Sequence, residues 1–194
     1  MRRWVIPLGV FLILLAGLIG FATRTGEIVK LRRQNEQLTA EKFKLRQGFV
    51  KRSAKEPVAL FFAENTKDNL YLKPVVVELE IPNQAAKPKM VLEALLKGPP
   101  AGTGYLPFFP KDTQVLGVKV KDGLAEVNLN RRATQLNVGS QGEALAVASI
   151  VNTLTKLPMI FKVKILIEGK EVESLAGHVD LSETFQYNSD LVSY

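Results

Sequence analysis

From Trp4 to Ala22 the chain runs for nineteen residues without a charge. Wound as an α-helix, such a run is roughly 28 Å long, close to the ~30 Å hydrocarbon core of a bilayer. Arg2 and Arg3 precede it and Arg24 closes it. Residues 1–23 therefore read as a transmembrane anchor. The other reading is a cleaved leader, since Gly20 and Ala22 are small enough for a cleavage site. The anchor is favoured because the run exceeds the ~7–15 residues of a leader's apolar region, and because a helical pattern continues beyond it.

The net charge of +7 belongs to this end of the chain. Residues 1–56 carry 12 Lys/Arg against 4 Asp/Glu, whereas residues 57–194 carry 14 against 15. A domain that grips phosphates needs clustered cations of its own. The near-neutral C-terminal part has no such excess, which argues against nucleic acid as a partner. The basic residues after the apolar run outnumber Arg2 and Arg3, so flanking charge alone would keep the C-terminal side in the cytoplasm. That rule weakens when a long domain follows. The chain has no cysteine, which excludes a disulfide framework, a thiolate zinc site, a thiol nucleophile and a lipidated cysteine.

Residues 24–56 read as a stalk and linker. In "EIVKLRRQNEQLTAEKFKLRQ" (27–47), Leu31, Leu38 and Leu45 recur at seven-residue spacing as d positions, with Ile28, Asn35 and Lys42 at a. Glu27 and Glu41 at g face Arg32 and Arg46 at e of the following heptad. Leucine at d with a single asparagine at a favours a parallel two-stranded coil in fixed register. Three heptads make a short coil, and Lys42 weakens it, but anchoring two chains in one membrane raises their effective concentration. A single solvated helix is the other reading. Gly48 and "KRSAKEP" end the segment.

A single α+β domain is expected over 57–188, followed by a polar tail, 189–194. "VALFFA" (58–63) has the composition of a strand. "VVVELEI" (75–81) alternates, with Val75, Val77, Leu79 and Ile81 on one face. "KPKMVLEALLKGPP" has helical spacing and a Gly98-Pro99-Pro100 stop. "TQVLGVKVKDGLAEVNLN" is a hairpin around Asp122–Gly123, a favoured type I′ pair. "SQGEALAVASIVNTLTKLP" is the clearest helix, with Ser140 and Glu143 spaced as a capping box and Pro158 at its end. "IFKVKILIEGKEVESL" predicts a long strand, a turn at Gly169 and a short return strand. From Val75 the order is β-α-β-β-α-β with extra strands at each end. This predicts a mixed sheet with two helices on one face, a split βαβ arrangement.

Candidate sites are few. His178, the only histidine, stands two residues before Asp180 in "SLAGHVDLSE" (174–183). A serine-histidine-acid relay needs an activated hydroxyl, and no G-x-S-x-G turn supplies one. A metal site needs three or four convergent ligands, and no tight ligand cluster is present. No cofactor motif of the phosphate-loop kind occurs. The pair reads instead as structural, with the imidazole bonded to a loop carbonyl or to Asp180. The loop "GPPAGTGYLPFFPKDT" (98–113) sets Tyr105, Phe108 and Phe109 among glycines and prolines. These aromatics either meet a partner or fold back as a lid over the core.

Several blocks together resemble one family. "VLEALLKGPP", "LPFFPKDTQVLGVKVKDGLAEVNLN", "GSQGEALAVASIVNTLTKLPMIFKVKILIEGKEVESL" and "GHVDLSETF" resemble the GerMN domain, a bacterial extracytoplasmic module of sporulation, germination and envelope proteins. The likeness covers about residues 57–188 in one copy. Pro110-Lys111-Asp112-Thr113 departs from it, standing where P-x-G-T would be expected. The resemblance implies a non-enzymatic α+β module that works with envelope proteins, on the outer side of the cytoplasmic membrane. It implies that His178 and Asp180 belong to a structural ending motif. A cell-wall binding module using the aromatic loop is the alternative function, and an envelope hydrolase using His178 a weaker one.

Overall fold

A computed structural model describes residues 29–42, 54–65 and 69–193. The chain divides into two compact units, Met1–Arg52 and Ser53–Tyr194. In the first, residues 29–42 form a helix, α1, exposed along its whole length. Leu31, Asn35, Leu38 and Lys42 lie on it, while Ile28 and Leu45 fall outside the described residues. Among the described residues no helix is long and apolar enough to cross a membrane; the run Trp4–Ala22 is not among them.

The second unit contains β1 (Ala54–Asn65), β2 (Leu70–Ile81), α2 (Lys87–Leu96), β3 (Val115–Lys121), β4 (Leu124–Leu129), α3 (Ser140–Thr155) and β5 (Lys162–Ile167). It is an α+β fold, as expected, but its strands make two sheets. β1 and β2 pair antiparallel, and β3-β4-β5 form a mixed sheet in which β4 and β5 are direct parallel neighbours. The βαβ unit is therefore not split. One reason lies at the free edge of β1, where the Phe61 N–H donates to the Thr153 hydroxyl of α3 at 3.1 Å. A helix, not another strand, covers that edge, and it satisfies a donor that pairing would otherwise require.

Local chemistry accounts for the elements. In β2 the side chains alternate as the sequence suggests: Val76, Glu78 and Glu80 are exposed, while Val75, Val77 and Leu79 pack against the core. At the β3–β4 turn Asp122 and Gly123 both adopt positive φ, 50° and 82°, as a type I′ turn requires. A Cβ on Gly123 would meet the Phe161 ring at 2.6 Å, so that turn also needs glycine for space. α2 ends where Gly98 takes φ 93° and donates to Leu95 O.

α3 is buried all round from Leu145 to Leu154. Ala146, Val147, Ile150, Val151 and Leu154 face the main core, which also takes buried residues from α2, β1, β3, β4 and β5, with Val75, Val77 and Leu79 of β2 packed against it. Leu145 and Ala148 face a second cluster with Phe61 and Leu72. A helix without a polar face must satisfy each buried polar group internally, and this one does. The Ser149 hydroxyl donates to Ala146 O, and Thr153 accepts from Phe61. Asn152 exchanges two bonds of 2.9 Å with the backbone of Asn188.

Three further expectations are corrected. The return strand after Gly169 is a single bridge, Ile167 with Lys170. The N-cap of α3 is Gly139, with no side-chain cap, so Ser140 and Glu143 form no capping box. The third concerns the end of the chain, expected as a polar tail: its segment 189–193 is bonded to β2. Leu72 N–H donates to Leu191 O at 2.8 Å and Ser193 N–H donates to Leu72 O at 2.9 Å, so these residues strap β2.

Candidate functional site

The Glu143 carboxylate explains the missing capping box. It is fully buried and accepts three backbone N–H bonds from a distant loop: Leu175 and Ala176 on Oε1, His178 on Oε2, each at 2.8 Å. A carboxylate gains more from three convergent donors in a water-free setting than from one exposed donor at a helix start. The loop is then fixed at both ends by apolar anchors, Leu175 and Leu181, both buried. Within it the Ser174 hydroxyl oxygen accepts from Gly177 N–H at 2.7 Å, and Leu181 N–H donates to Glu173 O at 2.8 Å.

His178 thus enters the structure through its backbone. Its side chain is exposed, and no described residue hydrogen-bonds its ring. The expected tie from the imidazole to Asp180 or a loop carbonyl is replaced by the N–H bond to Glu143. Asp180 Oδ1 accepts from Ser182 N–H at 2.8 Å. The backbone N–H and the hydroxyl of Ser182, with some help from the charge on Lys164, hold the Asp180 carboxyl below its ordinary range. Lys164, almost buried, is bonded to Ser182 O and lies 3.4 Å from Glu171.

Glu173, Ser174, Gly177, His178, Val179, Asp180 and Ser182 line a depression of about 560 Å³. It brings His178 and Asp180 to one place without a relay. Ser174 is committed to Gly177, and among the described residues no carboxylate bonds the imidazole. Among the described residues no three His, Cys, Asp or Glu side chains converge as a metal site.

The aromatic loop is turned inward. Phe109 is buried in the main core, Tyr105 packs against it, and Phe108 bridges both clusters. Leu106 N–H donates to Ala63 O at 2.9 Å, stitching the loop to β1 and leaving the Leu106 side chain outward. Of the two readings of this loop, the lid describes its geometry. The Pro110–Thr113 turn closes without glycine: Thr113 N–H donates to Pro110 O at 2.9 Å, and Asp112 has no positive φ. Asn130 then locks the next residues, accepting from Gln114 N–H and donating to Asp112 O.

Sequence reasoning missed Asn130 beyond β4, and on α3 it missed Glu143 and Asn152 as loop anchors and Thr153 as the partner of β1. For the three on α3 the available signal was polar residues inside an otherwise apolar helix, which require partners when buried.

Fold and loops together define a compact α+β module whose ending motif is organised by a buried acid and carries no assembled catalytic relay among the described residues. The chain belongs to the Germane (GerMN) family, described by sporulation and spore germination, whose profile matches residues 59–173. That description names a process and no reaction. Among solved structures, the tandem GerMN domains of the sporulation protein GerM from Bacillus subtilis share the fold, with a TM-score of 0.61 at 23% identity. The match covers 73% of this chain and 49% of that one, so the chain spans about half of the tandem structure. The first GerMN domain of the same protein aligns with a TM-score of 0.52 at 25% identity, covering 70% of this chain and 98% of that one. A lipoprotein candidate from Clostridium perfringens aligns with a TM-score of 0.51 at 27% identity, covering 69% and 88%. No curated protein matches.

Proposed function

We propose that this protein is a membrane-anchored scaffold of the bacterial envelope. In this reading its GerMN domain lies outside the cytoplasmic membrane and recruits envelope proteins, in assemblies of the sporulation or germination kind. One observation carries the reading: α1 presents Leu31 and Leu38 to solvent, 64% and 52% exposed, one heptad apart with Asn35 between them. An isolated helix gains nothing from such a stripe. A second copy in parallel would cover it, with Glu27 and Glu41 opposite Arg32 and Arg46 of its partner. The apolar run Trp4–Ala22 supplies the anchor that would bring two copies together. The family's process and the named relatives, a sporulation protein and a lipoprotein candidate, support an envelope setting. The cell-wall alternative uses the aromatic loop, whose rings pack inward, together with the helix–sheet edge.

Cross-linking of the full-length chain in membranes, followed by sedimentation in detergent, tests the stalk. Wild type should be dimeric, and Asn35→Ala with Leu38→Ala should move it to a monomer. Equal monomer mass for both would end the dimer proposal. The absence of cysteine makes location testable too. Ser189 is exposed, so Ser189→Cys should react with a membrane-impermeant maleimide on intact cells. Labelling only after lysis, with envelope permeability controlled, would put the domain in the cytoplasm and remove the envelope reading.

A further inference from the structure

A cleft of about 300 Å³ opens between the C-terminal half of α2 and the segment entering β3, lined by Glu93, Leu96, Lys97, Lys111, Thr113, Gln114 and Val115. That is the lower end of the ~300–1,000 Å³ range of ligand pockets. Its floor is apolar, since Leu96 and Val115 are both buried. Thr113 is only 7% exposed, and its hydroxyl is the one buried side-chain N or O atom without a hydrogen-bond partner among the described residues. Native structures leave few such groups, and each calls for an explanation. The segment that carries it is otherwise fully committed, through the Thr113–Pro110 turn bond and the three bonds of Asn130 to Asp112 and Gln114.

Charge defines what the hydroxyl could serve. Lys97, directly after α2, and Lys111 on the loop both line the cleft, are exposed, and form no ion pair among the described residues. The cleft's acid, Glu93, is already engaged by Lys89 at 3.7 Å. Two free ammonium groups over an apolar floor, beside a buried hydroxyl that lacks a partner, suit an anion with an aliphatic neighbour. Phosphate sites usually add a run of free backbone N–H groups. Here the N–H groups of Thr113 and Gln114 are already bonded, which favours a carboxylate.

We propose that this cleft captures the free C-terminal carboxylate of a peptide chain whose last residue is aliphatic. The carboxylate lies between Lys97 and Lys111 and accepts from the Thr113 hydroxyl after a rotation about χ1. The terminal side chain rests on Leu96 and Val115. The cleft lies within the unit Ser53–Tyr194 and shares no residue with the α1 stripe, so Asn35→Ala with Leu38→Ala should leave it unchanged.

Ligand-observed NMR on the full-length chain in detergent tests this with three probes: acetyl-Ala-Ala with a free carboxylate, its C-terminal amide, and inorganic phosphate. The acid should bind saturably at millimolar concentrations and the amide should not. Lys97→Ala combined with Lys111→Ala should weaken the acid at least about tenfold, and Thr113→Val about fivefold. Thr113→Val is nearly isosteric and removes an unpaired group, so its thermal midpoint should not fall. Equal binding of acid and amide would overturn the proposal, as would no binding of either. Tighter binding of phosphate than of the acid, or acid binding that none of the three substitutions weakens, would overturn it equally.

Discussion

Glu143→Ala should cost about 3–5 kcal/mol of stability, a large share of the ~5–15 kcal/mol typical of a domain. The side chain accepts three N–H bonds from Leu175, Ala176 and His178. Truncation leaves three donors facing a space that a methyl group cannot fill. Glu143→Gln separates shape from charge. The glutamine oxygen can still receive Leu175 and Ala176, but its NH₂ group must then face the His178 N–H, donor against donor. A loss of about 2 kcal/mol is expected for that variant. Urea unfolding of the unit 53–194 measures both losses. Amide exchange reports the site: protection of Leu175, Ala176 and His178 should drop in both variants, while that of Val127 and Ile165 falls only with global stability. A loss below about 1 kcal/mol for Glu143→Ala, with those three amides still protected, would show that the carboxylate does not hold the loop.

The same glutamate shows what the sequence could and could not reveal. Ser140-x-x-Glu143 has the spacing of a capping box, and spacing is all that a local pattern contains. Whether the acid bends back to its own helix start or reaches a loop more than thirty residues away is decided by where that loop packs. The features legible in advance were those set by neighbours along the chain. These include the alternation of Val75 to Ile81, the Asp122–Gly123 turn and the apolar spacing of α2 and α3. The two-sheet arrangement was not legible, because it is set by contacts distant in sequence, such as Thr153 meeting Phe61 N–H across 92 positions. Phe108 and Phe109 illustrate the same limit. An aromatic pair between prolines has one composition whether it faces a partner or the core, and here Ala63 draws the loop inward through Leu106. For His178 the bond that the structure shows runs through the backbone N–H to Glu143, and to a backbone bond residue identity is nearly blind.

Deletion of residues 189–194 should destabilise the domain by about 2–4 kcal/mol, although the sequence there reads as a polar end. Leu72 is fully buried, and its backbone N–H and C=O are both satisfied by this segment, through Leu191 O and Ser193 N–H. Leu191 and Val192 also cover the cluster of Phe61, Leu72, Leu145 and Ala148. Tyr187, edge-on to Phe61 with ring centroids 6.1 Å apart, stays in the truncated chain, as does the Asn152–Asn188 pair. The loss therefore isolates the strap. Leu191→Ala with Val192→Ala keeps the backbone bonds and should cost about 1–2 kcal/mol, the remainder belonging to Leu72. Urea midpoints of the three proteins, with exchange at the Leu72 amide, measure the division. An unchanged midpoint in the truncated chain would mean that β2 holds without the strap. The expected loss follows from α3 itself: Leu145, Ala148 and Asn152 make a stripe away from the main core, and a helix apolar on both sides is stable only while both are covered.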